Sequence, residues 1–275
     1  MSLCDILVHV DRAKTFDKRM AAAVNLAREH NAHLIGLGVN PPLPVAAYGV
    51  GPLPGTLMDS LNQQATEELE AAGTLFRKAA EAAGLPASTE WRAADDTVFD
   101  ALSLHGRYAD LTIVSQDDPD GDPTSYPNLG ADLALSSGRP IMIVPYIGAG
   151  PTIGKKILLS WDGGREAGRA MHDALPLLEE ADVVHVLLVE PRGLGDDPGA
   201  DVARHLARHG VKVQVTVRDG SGLDAAQEML NFVSDQAIDL MVMGCYGHSR
   251  LREAVFGGVT KTILNEMTIP VLLAH

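Results

Sequence analysis

The feature that most limits how this chain can fold is an internal repeat. The run DILVHVD from Asp5 to Asp11 returns as KILLSWD from Lys156 to Asp162. Both are almost continuously apolar and end on aspartate, as suits strands buried on both faces of a parallel sheet. Each leads into apolar residues at helical spacing: Phe16, Met20, Val24 and Ala27 in one copy, Ala167, Met171, Leu175 and Leu178 in the other. The match continues in the same order, His33 to Val39 with Val183 to Val189, Ala109 to Ser115 with Ile238 to Gly244, and Arg139 to Pro145 with Ile269 to His275. Third strands fit near Ala87 to Arg92 and Val211 to Val217. Amphipathic helices fall between, one built on Leu57, Leu61, Ala65, Leu69, Ala72 and Phe76, the other on Ala226, Met229, Leu230 and Val233.

Strands alternating with helices imply an open parallel sheet with right-handed crossovers. The fold class is therefore α/β, as two tandem five-stranded parallel-sheet domains of Rossmann-like form. The length of 275 residues accommodates two such units at roughly 150 residues each. The seam falls where Gly148, Gly150, Pro151 and Gly154 cluster, which makes residues 1–147 one domain and 153–275 the other. One large doubly wound sheet with accidental self-similarity is the competing reading.

Charge narrows the ligand classes. With 36 acidic and 22 basic side chains the formal charge is −14, and no local basic patch relieves it. Such a field repels nucleic acid and anionic membrane surfaces. A bound phosphate would have to rest on backbone N–H groups, which act regardless of net charge. The uncharged stretch from Gly38 to Met58 could span a bilayer by length, but its five prolines would break the helical hydrogen bonds lipid cannot replace, so it reads as a loop. The first residues lack a basic n-region and do not read as a signal peptide. The two cysteines, Cys4 and Cys245, form no disulfide framework; together these points place the chain in the cytoplasm.

Open parallel sheets bind ligands at the carboxyl ends of their strands. In the second copy the first strand ends at Asp162, and the fourth ends at Met243 and enters a glycine-rich segment running to Thr260. Gly244 and Gly247 allow sharp turns and close approach of a ligand. Gly257 and Gly258 open the last helix, where unpaired N–H groups and the helix dipole favour an anion. On spacing alone, glycines that merely permit turns explain the segment equally well.

The pattern of Gly244, two residues, Gly247, nine residues and Gly257, before a short helix with Val259 and a final apolar strand, resembles the ATP-binding class of universal stress proteins. That family has adenine-nucleotide α-hydrolase-like domains and a known tandem form. The resemblance implies an adenine nucleotide (ATP, ADP or AMP) as cofactor, with Asp162 beside the adenosine and Val189 and Met243 framing the adenine. The loop would wrap the phosphates through Gly244, Gly247, His248, Gly257, Gly258, Val259 and Thr260. It also implies an internal pseudo-dimer with Ile141 to Val144 and Val271 to Ala274 near its twofold; further association into a homodimer is left open. Gly258 stands where the family normally has Ser or Thr, which removes one donor, about 1 kcal/mol, and leaves the choice among ATP, ADP and AMP open. His248, and Arg250 nearby, are candidate phosphate contacts or partners of local carboxylates.

The first copy keeps Asp11 but has no glycine pair after Ser115, and Asp117, Asp118, Asp120 and Asp122 would repel phosphate. It reads as a degenerate domain whose task is to pack against its partner. Those acids do not have the spacing of a calcium loop. His205 and His209 are four apart, yet Arg204 and Arg208 flank them, so they read as a polar face and no metal site is assigned. Cys245 reads as a buried thiol, with a redox switch as the alternative. The resemblance leaves room for a magnesium ion with the nucleotide, although no paired acids for it stand out, and no general base is apparent. The expectation is a nucleotide-binding stress-response regulator acting through conformation or partners, with at most slow ATP hydrolysis. A protein-interaction scaffold and a small-molecule sensor of the same fold are the alternatives.

Overall fold

The computed structural model describes residues 2–42, 55–121, 126–191, 195–219, 224–245 and 258–275. The first half contributes strands β1 (Asp5–Val10), β2 (His33–Val39), β3 (Thr89–Ala94), β4 (Leu111–Ser115) and β5 (Ile141–Val144). Its helices are α1 (Phe16–Glu29), α2 (Gly55–Ala82), α3 (Val98–Gly106) and α4 (Leu129–Ser136). The second half repeats the order with β6 (Lys156–Ser160), β7 (Val183–Val189), β8 (Val213–Arg218), β9 (Leu240–Gly244) and β10 (Val271–Ala274). Between these lie α5 (Arg165–Asp173), α6 (Leu175–Glu180), α7 (Ala200–Arg208), α8 (Ala225–Gln236) and α9 (Val259–Glu266).

All ten strands join in one sheet, ordered β3-β2-β1-β4-β5-β10-β9-β6-β7-β8. Each half has the same internal order, and within it every pairing is parallel. The halves meet through β5 and β10, which pair antiparallel with Leu272 opposite Met142, Val271 opposite Ile143 and Leu273 opposite Ile141. That register is symmetric about Leu272 and Met142, so the pseudo-twofold passes there. The two sheets expected from the repeat are thus two halves of one. The reason is the edge: all four residues of β5 and all four of β10 are buried, and an apolar edge left unpaired would strand its backbone N–H and C=O groups.

Period-two alternation sends the strands' side chains to opposite faces. Ile6, Val8 and Val10 join a core under α1, α2, α5, α6 and α7. Leu7 joins the core on the other face, under α3, α4, α8 and α9. Further ties cross between the halves. Gln116 donates from Nε2 to the Leu264 carbonyl at 2.8 Å, and Arg169 Nη2 donates to the Gly138 carbonyl at 2.9 Å. The loop expected over Gly38 to Met58 is shorter than its uncharged run, because β2 extends to Val39 and α2 begins at Gly55; residues 43–54 lie outside the described residues. Among the described residues no helix is long and apolar enough to cross a membrane.

Candidate functional site

In each half the chain leaves its central strand toward one side of the sheet and returns on the other, which opens a crevice between β6 and β9 and another between β1 and β4. In the second half, Ser160 pairs with Leu187 and Leu159 with Val242. Carrying that register two or three residues on sets Asp162 level with Val189 on one side and with Cys245, next to Gly244, on the other. Sequence-distant candidates therefore reach the same carboxyl edge. Asp162 is exposed, and its Oδ1 accepts from the Gly164 N–H at 2.7 Å, shaping the turn into α5. Val189, the last residue of β7, is half-buried. Met243 is 3% exposed and packs into the core, so at the edge it offers backbone.

Gly244 has a packing duty. A Cβ there would lie 2.5 Å from the Glu166 carbonyl carbon and 2.6 Å from the Ala167 nitrogen. The first turn of α5 rests directly on β9, and only glycine admits that approach. Glu166 in this turn is buried and pairs with Arg165; burial opposes its ionisation, but the guanidinium prevails and lowers its pKa. Cys245 is fully buried, its N–H donating to the Ala274 carbonyl at 3.0 Å. Gly247, His248 and Gly257 lie outside the described residues. Beyond them Gly258 is the N-cap of α9, with no side chain to cap the helix and no acidic residue in the first turn. The Gly258 carbonyl accepts from the Lys261 and Thr262 N–H groups. Val259 is half-buried, and Thr260 is 3% exposed, so its hydroxyl is withdrawn from solvent.

The equivalent place in the first half is built differently. The N-cap of α4 is Asn128, whose own N–H donates to Asp117 Oδ2 at 2.8 Å, and Asp132 lies in the first turn. A carboxylate of the chain thus sits where a bound anion would approach. At the crevice floor Arg19 is 1% exposed and donates to the His9 carbonyl, Ser115 Oγ and Asp11 Oδ1 at 2.8, 2.6 and 2.7 Å. Burial holds the His9 pKa down to about 4 against the pull of Asp11, with Arg19 lowering it further. For Asp11 burial acts the other way, but the adjacent Arg19 and His9 hold the carboxyl below its usual range. This floor opens into a cleft of about 890 Å³ whose walls include Val39, Leu69, Val98 and Tyr126. Sequence reasoning missed Arg19, His9 and Gln116. The one available signal was Arg19 interrupting the apolar face of α1, where the second copy has Ala170 eight residues after its aspartate.

Two doubly wound halves fused edge to edge, with crevices at the carboxyl ends of their strands, define a tandem α/β protein of Rossmann-like form. Residues 154–275 match the Universal stress protein family model. The likeness to that family is carried by this second half of the chain. Universal stress protein Slr1230 from Synechocystis sp. is 30% identical over 130 residues, an alignment covering 42% of this chain and 41% of that protein. Among solved structures, a universal stress protein from Archaeoglobus fulgidus DSM 4304 superposes with a TM-score of 0.73 at 14% identity, over 98% of this chain and 95% of that one. A putative universal stress protein from Pseudomonas aeruginosa UCBPP-PA14 gives a TM-score of 0.58 at 18% identity, over 99% and 93%. At these identities the structural likenesses speak to fold.

Proposed function

We propose that the second half binds an adenine nucleotide in the crevice between β6 and β9, and that the protein acts through conformation or partners rather than by turnover. The observation that carries this reading is the contrast between two equivalent helix starts. At α4 a chain carboxylate, Asp117, already takes the N-cap N–H. At α9 the N-cap is glycine and the first turn is free of acids, which leaves the helix dipole available to an outside anion. The glycine-spaced segment from Gly244 to Gly257 leads from the carboxyl end of β9 to that helix. Asp162, at the same edge, keeps Oδ2 available to a ribose hydroxyl. Mass-spectrometric identification of nucleotide carried through purification, followed by calorimetry with ATP, ADP and AMP, tests the reading. Replacing Gly247 with Val should abolish binding while the fold persists; unchanged binding would overturn the phosphate-loop assignment.

The cleft in the first half favours a second reading, a small-molecule sensor. With Asp117 occupying the anion position and Asp118 and Asp120 at the rim, its ligand would lack phosphate. An unphosphorylated ligand found in purified protein, retained after loss of nucleotide binding through Gly247→Val, would distinguish it.

A further inference from the structure

On the face of the sheet opposite α9, the second half carries three histidine rings in a row. His172 lies in the last turn of α5, His205 within α7, and His209 is the C-cap of α7. The His172 and His205 centroids are 5.2 Å apart, and those of His205 and His209 4.8 Å. The middle ring has an unmet need: Nε2 of His205 is shut off from solvent and has no hydrogen-bond partner. Buried polar atoms in native structures are rarely left so.

The surroundings equip that nitrogen to be a ligand. His172 Nδ1 lies 2.8 Å from the Gly168 carbonyl, which assigns the proton to Nδ1 and leaves Nε2 with its lone pair. Metal-bound histidines are commonly oriented by such a bond to a backbone carbonyl. Arg204, which the sequence sets beside His205, is drawn off to Asp201 at 2.7 Å. Glu179 approaches His209 Nδ1 at 3.6 Å and brings negative charge to offset Arg208. Among the described residues no three side chains form a closed metal cage; the histidines are two adjoining pairs that share His205.

We propose that this row is a site for a divalent transition-metal ion, Zn²⁺ among them, with His205 Nε2 as first ligand. One adjoining ring supplies the second, and water completes the shell. Imidazole nitrogens suit such ions, and two histidines four apart on a helix can share one. The ion would clasp the end of α5 to α7.

The test is calorimetric titration of the untagged full chain with ZnCl₂, alongside thermal unfolding. One ion per chain is expected, its binding coupled to a rise in thermal stability. His205→Leu should weaken binding by about tenfold or more and remove the Zn²⁺-induced rise in Tm. The metal-free His205→Leu variant should itself unfold at higher temperature than the parent, because an orphaned polar atom has gone; this shows that the variant folds. Either His172→Ala or His209→Ala should reproduce the loss, and His33→Ala should leave binding unchanged. Zn²⁺ binding as tight in folded His205→Leu as in the parent, or no binding at millimolar Zn²⁺, would overturn the proposal.

Discussion

The guanidinium of Arg19 stands 2.7 Å from the carboxylate of Asp11, in a side chain only 1% exposed. In the first half, the aspartate that closes the repeated strand is therefore engaged with an internal cation. Its counterpart Asp162 is exposed, and Ala170 replaces the arginine. Asp11→Asn keeps the side chain's shape but leaves a buried guanidinium without its counter-charge, which should destabilise the protein by about 3 kcal/mol. Urea unfolding measures this directly. Asp162→Asn should leave stability almost unchanged.

Acid should weaken the first half in two stages. Burial holds the His9 pKa in the folded protein down from the ordinary 6.5 to about 4, so below the unfolded pKa the unfolded chain takes up a proton that the native ring refuses. Stability is then lost between roughly pH 6.5 and 4, by about 3 kcal/mol in total. Asp11, whose folded pKa is also lowered, adds stability present above the ordinary aspartate pKa and lost as pH falls through its folded value. His9→Gln should flatten the upper stage, seen as a smaller change in urea midpoint between neutral pH and about pH 4.5.

The packing role of Gly244 can be tested apart from any ligand. Gly244→Ala places a methyl against the backbone of Glu166 and Ala167, where neither atom can swing aside. A loss of about 1–3 kcal/mol follows from overpacking, measurable by chemical denaturation without nucleotide. A Gly244 variant with unchanged stability would contradict this packing.

Gln116 joins the halves. Its Nε2 donates to the Leu264 carbonyl and, at 3.3 Å, to that of Asn265, while its Oε1 accepts from the Tyr146 N–H. Gln116→Ala leaves carbonyls at the end of α9 without that partner and should cost about 1–3 kcal/mol. Hydrogen exchange should show faster opening at Tyr146.

Residues 153–275 produced alone would bare the buried edge of β10. Because Val271 to Leu273 already pair antiparallel about a local twofold, the fragment should self-associate along the same edge. Light scattering after size-exclusion chromatography would report a dimer; substituting Leu272 by Asp should disfavour it.

The order of strands and helices was legible because burial on a parallel sheet imposes local rules. Apolar runs mark strands such as β1 and β6, and helical spacing marks α1 and α5. Asp162, Val189 and Gly244 could be proposed for one edge because each lies at, or just beyond, the end of a strand of the same half. Their packing was not legible: nothing in its neighbours along the chain says that Gly244 must admit the backbone of Glu166.

By itself the sequence determined a tandem α/β protein, with the same succession of strands and helices along each half, and a first half short of phosphate-binding glycines. Tertiary structure alone decided that β5 and β10 make the two sheets one, that Asp117 takes the N–H of Asn128, that Arg19 is buried against Asp11, and that His172 stands beside His205. The physical reason is separation along the chain. Periodicity records what a residue's neighbours two to four positions away require, whereas these contacts join segments brought together only when the sheet assembles.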